Sequence, residues 1–306
     1  MSNRKVIGVD IGGSHITSAI VDLDELRIIF GSTFSVKVDN KASKDHILKD
    51  WSKAVNNSIK CLGIQDEIGI GFAMPGPFNY KKGIGMFVGN NEKYESLNGV
   101  SIPEEMAKYL NAGKMDYRFL NDATAFGVGV SSMGRAKNCS KVVAITLGTG
   151  FGSAFIKDGI PQVKEGNVPQ GGFMWDKPFR NGLGDDYFST RWCIKRYKEF
   201  TGVETSGVKE IVEANNFSSK RVFEEFGSDM AEFMVPFLHK FEPDLIVFGG
   251  NISKASELFI PSFKSKIHKA GLPIDLEMSD VLEEAAIIGS AKLFDSHFWS
   301  QVHKSN

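Results

Sequence analysis

Apolar runs broken by glycine pairs alternate along this chain with stretches whose apolar residues recur at helical spacing. Residues 5 to 35 switch between apolar and polar runs around Gly12-Gly13, which predicts a meander of strands with a tight turn at the glycines. The period then changes. Ile47, Leu48, Trp51, Ala54, Val55, Ile59 and Leu62 fall on one face of a helix over 44 to 62, with Ser43 in the N-cap position and the aliphatic stripe as core. "EIGIGFAMPGPFN" reads as a strand entering a loop at Pro75, Gly76 and Pro77. "DYRFLNDATAFGVG" reads as a strand ending at Asn121-Asp122, followed by small residues that suit a packed helix.

Residues 160 to 185 are loop-like, and Asp185 to Phe200 read as helix. Phe223, Phe226, Met230, Phe233, Phe237, Leu238 and Phe241 share one helical face over 220 to 241, where Pro236 predicts a kink. Leu245 to Phe248 is a buried strand that breaks at Gly249-Gly250. Ser279 caps a closing helix that carries Leu282, Ala285, Ala286, Gly289 and Leu293. Strands alternating with helices define the α/β class, and 306 residues exceed the usual size of one core, so two domains are expected.

Composition narrows the partners. The chain is 42% hydrophobic and 24% charged, which is too apolar for disorder, and its formal net charge of -1 gives no electrostatic reason to bind nucleic acid or an anionic membrane. A small or neutral ligand fits better. Three scattered cysteines, Cys61, Cys139 and Cys193, argue against a disulfide framework and for a reducing compartment. "MSNRK" passes straight into a strand without a signal peptide, and no run approaches the roughly 18 apolar residues of a membrane helix. A cytoplasmic location is the expectation.

One pattern is written twice. "VIGVDIGGSHITSAIVD" at Val6 returns as "VVAITLGTGFGSAFIKD" at Val142, and aligning Asp10 with Thr146 sets Gly12 against Gly148 and Gly13 against Thr149. Each is strand, tight turn, strand. Glycine admits positive φ and close backbone approach, so successive N–H groups can converge on an anion, and two such turns can grip a polyphosphate. Either hairpin alone reads equally as a plain turn. Both place a hydroxyl at the turn, Ser14 and Thr149, but only the first has an acid at the strand end. That acid, Asp10, suits one Mg²⁺ site beside two phosphate clamps.

"VDIGGSHITSAIVD", "GFAMPGP", "FLNDATAFGVG", "ITLGTGFGSAFIKDG" and "IVFGGNIS" occur in the order and approximate spacing of the ROK family of sugar kinases and repressors, and "EEAAIIGSAKLF" resembles that family's last helix. The resemblance implies an actin-like (ribonuclease H-like) duplicated α/β fold with an active site in an interdomain cleft. The smaller domain would be residues 1 to 121 joined by a C-terminal helix over about 282 to 298, and the larger one 122 to 281.

It also implies roles. Asp122 becomes the catalytic base that takes the proton of the attacking sugar hydroxyl, although an Asn-Asp pair alone would only cap a helix. Pro75, Gly76, Asn91 and Asn121 would contact the sugar. Gly12, Gly13, Ser14, Gly148, Thr149 and Gly150 would hold the phosphates of ATP, Gly249, Gly250 and Asn251 the adenosine side, and Asp10 the Mg²⁺.

The family's Glu-x-Gly-His segment and zinc-binding cysteine cluster are missing from "KEGNVPQGGFMWDKPFRNGLGDDYFSTRW", so structural zinc is not expected. Glu165, Gln170 and Asp176 are polar residues of this loop that could replace the lost sugar ligands, and each also reads as an ordinary loop residue; of the three, Gln170 is expected to bind substrate. Trp175 suits either sugar stacking or core, and His15 either phosphate contact or none. The implied activity is ATP- and Mg²⁺-dependent phosphorylation of a hexose or N-acylated hexosamine at O6. A non-catalytic sugar or nucleotide sensor of the same fold stays open, as does an ATPase or carboxylate kinase. A repressor would need an N-terminal helix-turn-helix, for which a first strand at Val6 leaves no room. The resemblance also allows a homodimer.

Overall fold

A computed structural model describes residues 4–63, 67–88, 93–111 and 113–303 of the chain. They divide into two compact units, Met1–Met133 with Glu283–Asn306, and Gly134–Leu282.

The first unit opens with β1 (Lys5–Ile11) and β2 (His15–Asp22), an antiparallel hairpin in which Asp10 faces Thr17. β3 (Arg27–Ile28) and β4 (Phe34–Lys37) both return to β2. The segment is therefore no simple meander, because the far end of β2 takes β3 while its turn end, His15 to Ser18, takes β4. Helix α1 (Lys44–Leu62) follows where the apolar period changes. Ser43 occupies its N-cap with extended backbone, but its side chain makes no capping hydrogen bond; the Ile47 N–H reaches its carbonyl at 3.1 Å. β5 (Glu67–Met74) leads to a small hairpin of β6 (Phe78–Asn79) and β7 (Ile84–Gly85), then α2 (Ile102–Met106), β8 (Lys114–Asn121) and α3 (Asp122–Val130).

The sheet runs β3-β2-β1-β5-β8, with β1, β5 and β8 parallel. Burial on both faces explains why β1 and β5 are nearly all apolar, whereas β8 at the sheet edge carries Lys114, Asp116 and Arg118. Ile7, Val9, Ile11, Ile70 and Phe72 pack with the Leu48, Trp51 and Val55 stripe of α1.

The second unit repeats the plan. β9 (Lys141–Leu147) and β10 (Phe151–Lys157) form its hairpin, β11 (Ile160–Pro161) pairs with β10, and a loop carries β12 (Pro178–Phe179) and β13 (Gly182–Leu183). The helix expected over Asp185 to Phe200 is broken into α4 (Gly184–Tyr187) and α5 (Thr190–Thr201). Phe188 between them is fully buried among Phe151, Phe179 and Phe233, and Ser189 becomes the N-cap of α5. Then come α6 (Val208–Ala214), α7 (Phe217–Phe241), β14 (Leu245–Gly249), α8 (Ser256–Lys269) and β15 (Asp275–Met278). The α7 aromatic stripe is core, packed on Phe248, Phe259 and Phe263, and the helix continues past Pro236. Strand order is β11-β10-β9-β14-β15, with β9, β14 and β15 parallel. In each unit, then, a glycine hairpin supplies the first parallel strand, which is the architectural form of the repeated sequence.

The chain closes in the first unit with α9 (Leu282–Ala291) and α10 (Ser296–Val302). Ser279 is not the cap of α9; it stands before the helix, its oxygen 3.4 Å from the Val281 N–H. Ile287, Ile288 and Ala291 cover Val6, Ala19 and Val21 on the sheet face away from α1. Contact is close because a Cβ on Gly71 would lie 2.1 Å from the Ser290 carbonyl oxygen. α3 and α9 touch backbone to backbone: a Cβ on Gly129 would lie 1.9 Å from the Ala285 oxygen, and one on Gly289 1.9 Å from the Ala125 oxygen. No helix among the described residues is long and apolar enough to cross a membrane.

Candidate active site

The turn between β1 and β2 is pinned through its carbonyls. The Gly12 oxygen accepts the Tyr94 hydroxyl at 2.6 Å, the Gly13 oxygen accepts the Asn40 amide, and the Ser14 oxygen accepts the Val38 N–H at 2.8 Å. In a trans peptide the N–H points opposite to the C=O, so the Gly13 and Ser14 N–H groups face away from those anchors, as an anion cradle requires. Tyr94 is fully buried, its ring edge-on to Trp51 at 5.4 Å, which makes the anchor rigid. Positive φ is not what the glycines supply: none of Gly12, Gly13, Gly148 and Gly150 adopts it. They supply the lack of a side chain.

Asp10, the last residue but one of β1, stands level with Ala73 of β5. Burial raises its carboxyl well above the usual range, and the charges of Asp122 and Glu283 add to the rise. The folded protein therefore holds this proton to higher pH than the unfolded chain, and stability falls as pH climbs from the unfolded value of about 4 through the folded one. Asp10→Asn removes that cost. In chelator-containing buffer its melting temperature exceeds the native one at pH 7, and the gap closes towards pH 4; thermal melts across that range check it.

Asp122 opens α3. Its Oδ1 accepts the Ala123 N–H at 2.8 Å and the Asn121 amide at 2.9 Å. Burial raises this carboxyl, against the Ala123 bond, the Lys93 charge and the Asn121 amide. Asn121 is a cap as well: its Oδ1 takes the Thr124 N–H at 3.1 Å, and its amide also reaches the Tyr80 hydroxyl at 3.1 Å. Tyr80 in turn donates to the Met74 carbonyl at 3.3 Å, and a Cβ on Gly76 would stand 3.4 Å from its oxygen. Tyr80 thus joins the Pro75-Gly76 loop to the Asn121-Asp122 pair. Asn91 lies outside the described residues. His15 does have a partner: its Nε2 is 2.7 Å from Glu283, which also accepts the Thr17 hydroxyl at 3.2 Å.

In the second unit the Gly148 oxygen accepts the Thr190 N–H at 2.8 Å and hydroxyl at 2.9 Å, and the Thr149 oxygen accepts Arg191 at 3.0 Å. Asp185 takes the Phe151 N–H at 2.7 Å and holds Arg191 at 2.7 Å. The start of α5 thereby fixes this turn from behind. Gly249 pairs with Thr146, so Gly249, Gly250 and Asn251 stand beside Gly148 to Gly150 at one end of the sheet. Gly250 does need glycine, with φ 93° and a would-be Cβ 2.3 Å from the Leu147 oxygen.

The altered loop is seated on Ser153, whose hydroxyl donates to the Gly172 carbonyl at 3.0 Å and accepts the Met174 N–H at 2.9 Å. Gln170 and Glu165 are exposed, Asp176 pairs with Lys177 at 2.8 Å, and Trp175 is 44% exposed and so is not core. Among the described residues no group of three or more His, Cys, Asp or Glu could hold a metal ion. Mg²⁺ needs less than that, since one or two carboxylates plus water and phosphate suffice. Asp10, half-buried and without a hydrogen-bond partner for its carboxylate among the described residues, fits as such a ligand.

Sequence reading missed Tyr80, Lys93, Tyr94, Asn40 and Glu283. Each acts across a long gap in the chain, and only the placement of Lys93 and Tyr94 beside an Asn-rich loop gave any signal.

Two α/β units that each begin with a glycine hairpin have the actin-like ATPase fold, and the solved structures agree. A ROK hexokinase from Thermus thermophilus superposes with a TM-score of 0.75 at 18% identity, over 94% of this chain and 97% of that one. A ROK family glucokinase from Streptomyces griseus, in complex with glucose and AMPPNP, gives 0.73 at 20% identity over 95% and 99%. A ROK family transcriptional regulator, a homologue of the E. coli MLC protein, gives 0.74 at 15% identity over 99% and 82%. Among curated relatives, the glucokinase of Thermotoga maritima is 24% identical, covering 96% of this chain and 98% of that protein. The polyphosphate glucokinase of Mycobacterium tuberculosis is 26% identical over 87% and 84%. The ROK family model matches residues 6–297, and the chain belongs to the ROK family.

Proposed function

We propose that this protein is a sugar kinase that transfers the γ-phosphoryl group of ATP to a hydroxyl, O6, of a hexose or N-acylated hexosamine. The observation that carries the reading is Asp122, a carboxylate fixed at Oδ1 by two donors and raised by burial, beside the Tyr80-braced Pro75-Gly76 loop. Membership of the ROK family and the glucokinase relatives support it. Asp122 accepts the proton as the sugar oxygen attacks the γ-phosphorus and ADP departs. A raised carboxyl is a stronger base than an ordinary one, which suits this task. Asn121 acts through Asp122 as a positioning residue, its two amide hydrogens going to Asp122 and the Tyr80 hydroxyl, and it contacts the sugar in exchange for the Tyr80 bond.

In this reading Asp122 and the Pro75-Gly76 loop bind the acceptor, Gly148, Thr149 and Gly150 bind phosphate, and Gly249, Gly250 and Asn251 bind the adenosine side. Gly12, Gly13 and Ser14 also bind phosphate. Mg²⁺, held by Asp10, would neutralise charge on the transferred phosphates. Gln170 contacts the sugar from the altered loop. A cytoplasmic location goes with a reaction that draws on cellular ATP.

The test is ADP release with ATP and Mg²⁺ across glucose, mannose, fructose, glucosamine, N-acetylglucosamine and N-acetylmannosamine, repeated with inorganic polyphosphate as donor. At least one sugar should drive release with ATP and gain one phosphate at O6. No sugar-dependent release with any donor would overturn the reading.

A further inference from the structure

Lys93 belongs to none of the repeated motifs, yet its side chain runs along the first glycine turn. A Cβ on Gly13 would stand 3.4 Å from its Nζ, 3.6 Å from Cε and 4.0 Å from Cδ. A methyl at position 13 would sit in van der Waals contact with this stem. The next residue is Tyr94, buried and bound to the Gly12 carbonyl, so the backbone that carries Lys93 is tethered to the turn itself. The same positive charge acts on Asp122, whose carboxyl it restrains from rising further. One ammonium therefore bears on both the phosphate turn and the base.

An in-line phosphoryl transfer from the turn to a hydroxyl at Asp122 would pass through this space. Its transition state spreads negative charge over three equatorial oxygens, and fixed cations aimed at that charge are the main source of acceleration. Lysine suits such a role as a compact point charge. We propose that Lys93 is a further catalytic residue, its ammonium holding the equatorial oxygens of the phosphoryl group as that group leaves ADP for the acceptor hydroxyl. Lys93 keeps all its protons throughout; the bond to ADP breaks, the bond to the sugar oxygen forms, and the hydroxyl proton goes to Asp122. The inference rests on the kinase reading above.

Lys93→Met, which keeps the aliphatic stem, and Lys93→Arg, which keeps the charge, test it together. The Met variant should lose roughly 100-fold in kcat. Calorimetry should show its affinity for AMPPNP falling roughly tenfold, in line with the loss of one charge-assisted contact, with ADP affinity unchanged. The Arg variant should regain part of both. Native-like kcat in the Met variant would overturn the inference, as would equal losses for AMPPNP and ADP, or a rise in sugar KM alone. Those outcomes leave an active native kinase standing, whereas a native protein that neither binds nucleotide nor turns over sugar sinks the parent reading and this one with it.

Discussion

Asp122→Asn leaves a folded protein that binds nucleotide normally and turns over roughly 10³-fold more slowly, within the range that a positioned general base contributes. Asn is nearly isosteric and its Oδ1 can still accept the Ala123 N–H and the Asn121 amide, so α3 keeps its start and the glycine turn keeps its anchors. What disappears is the ability to take a proton. The native enzyme should lose activity on the acid side as Asp122 protonates, at a pH above the ordinary carboxylate range because burial raises this group. The variant's residual rate should lack that acid limb. Steady-state kinetics from pH 5 to 8, with nucleotide affinity measured in parallel, check both points. A variant that keeps native turnover would remove Asp122 from the chemistry.

Gly289→Val destabilises the fold by about 3 kcal/mol or more, at the upper end of overpacking costs, and lowers the melting temperature by roughly ten degrees. The cause is local. A Cβ at this position would meet the Ala125 carbonyl oxygen at 1.9 Å, and backbone cannot swing aside as a flexible side chain can. Gly129 makes the reciprocal contact with Ala285, so α3 and α9 must separate to admit either side chain. Since α3 begins at Asp122, the displacement reaches that carboxylate, and on the proposed reading turnover should fall along with stability. Gly113→Ala is the control, for nothing lies within 4 Å of a Cβ there. Thermal melts of the two variants beside the native protein decide the matter; equal melting temperatures would deny the close helix contact.

Much of this fold was legible because burial writes a period into the chain. The α1 stripe and the apolar β14 run appear where the spacing put them, and the doubled hairpin sentence becomes two sheets of one plan. The sequence reading failed where tertiary contact overrides local pattern. β4 returns to β2, a choice that polar alternation cannot reveal. The helix expected from Asp185 breaks because Phe188 is drawn into an aromatic cluster while Thr190 and Arg191 reach back to the second turn. Within the candidate site, glycines and acids were visible as residue types. Their partners were not: Tyr94 reaches Gly12 across 82 positions, and Glu283 reaches His15 across 268.

That last span bears on how the molecule is made. The second unit is one uninterrupted stretch, complete once Leu282 has been synthesised, whereas the first waits for α9 to cover Val6, Ala19 and Val21. Domains fold as units while the chain emerges. The part translated first is therefore finished last, and until α9 has left the ribosome its sheet stays uncovered on that side.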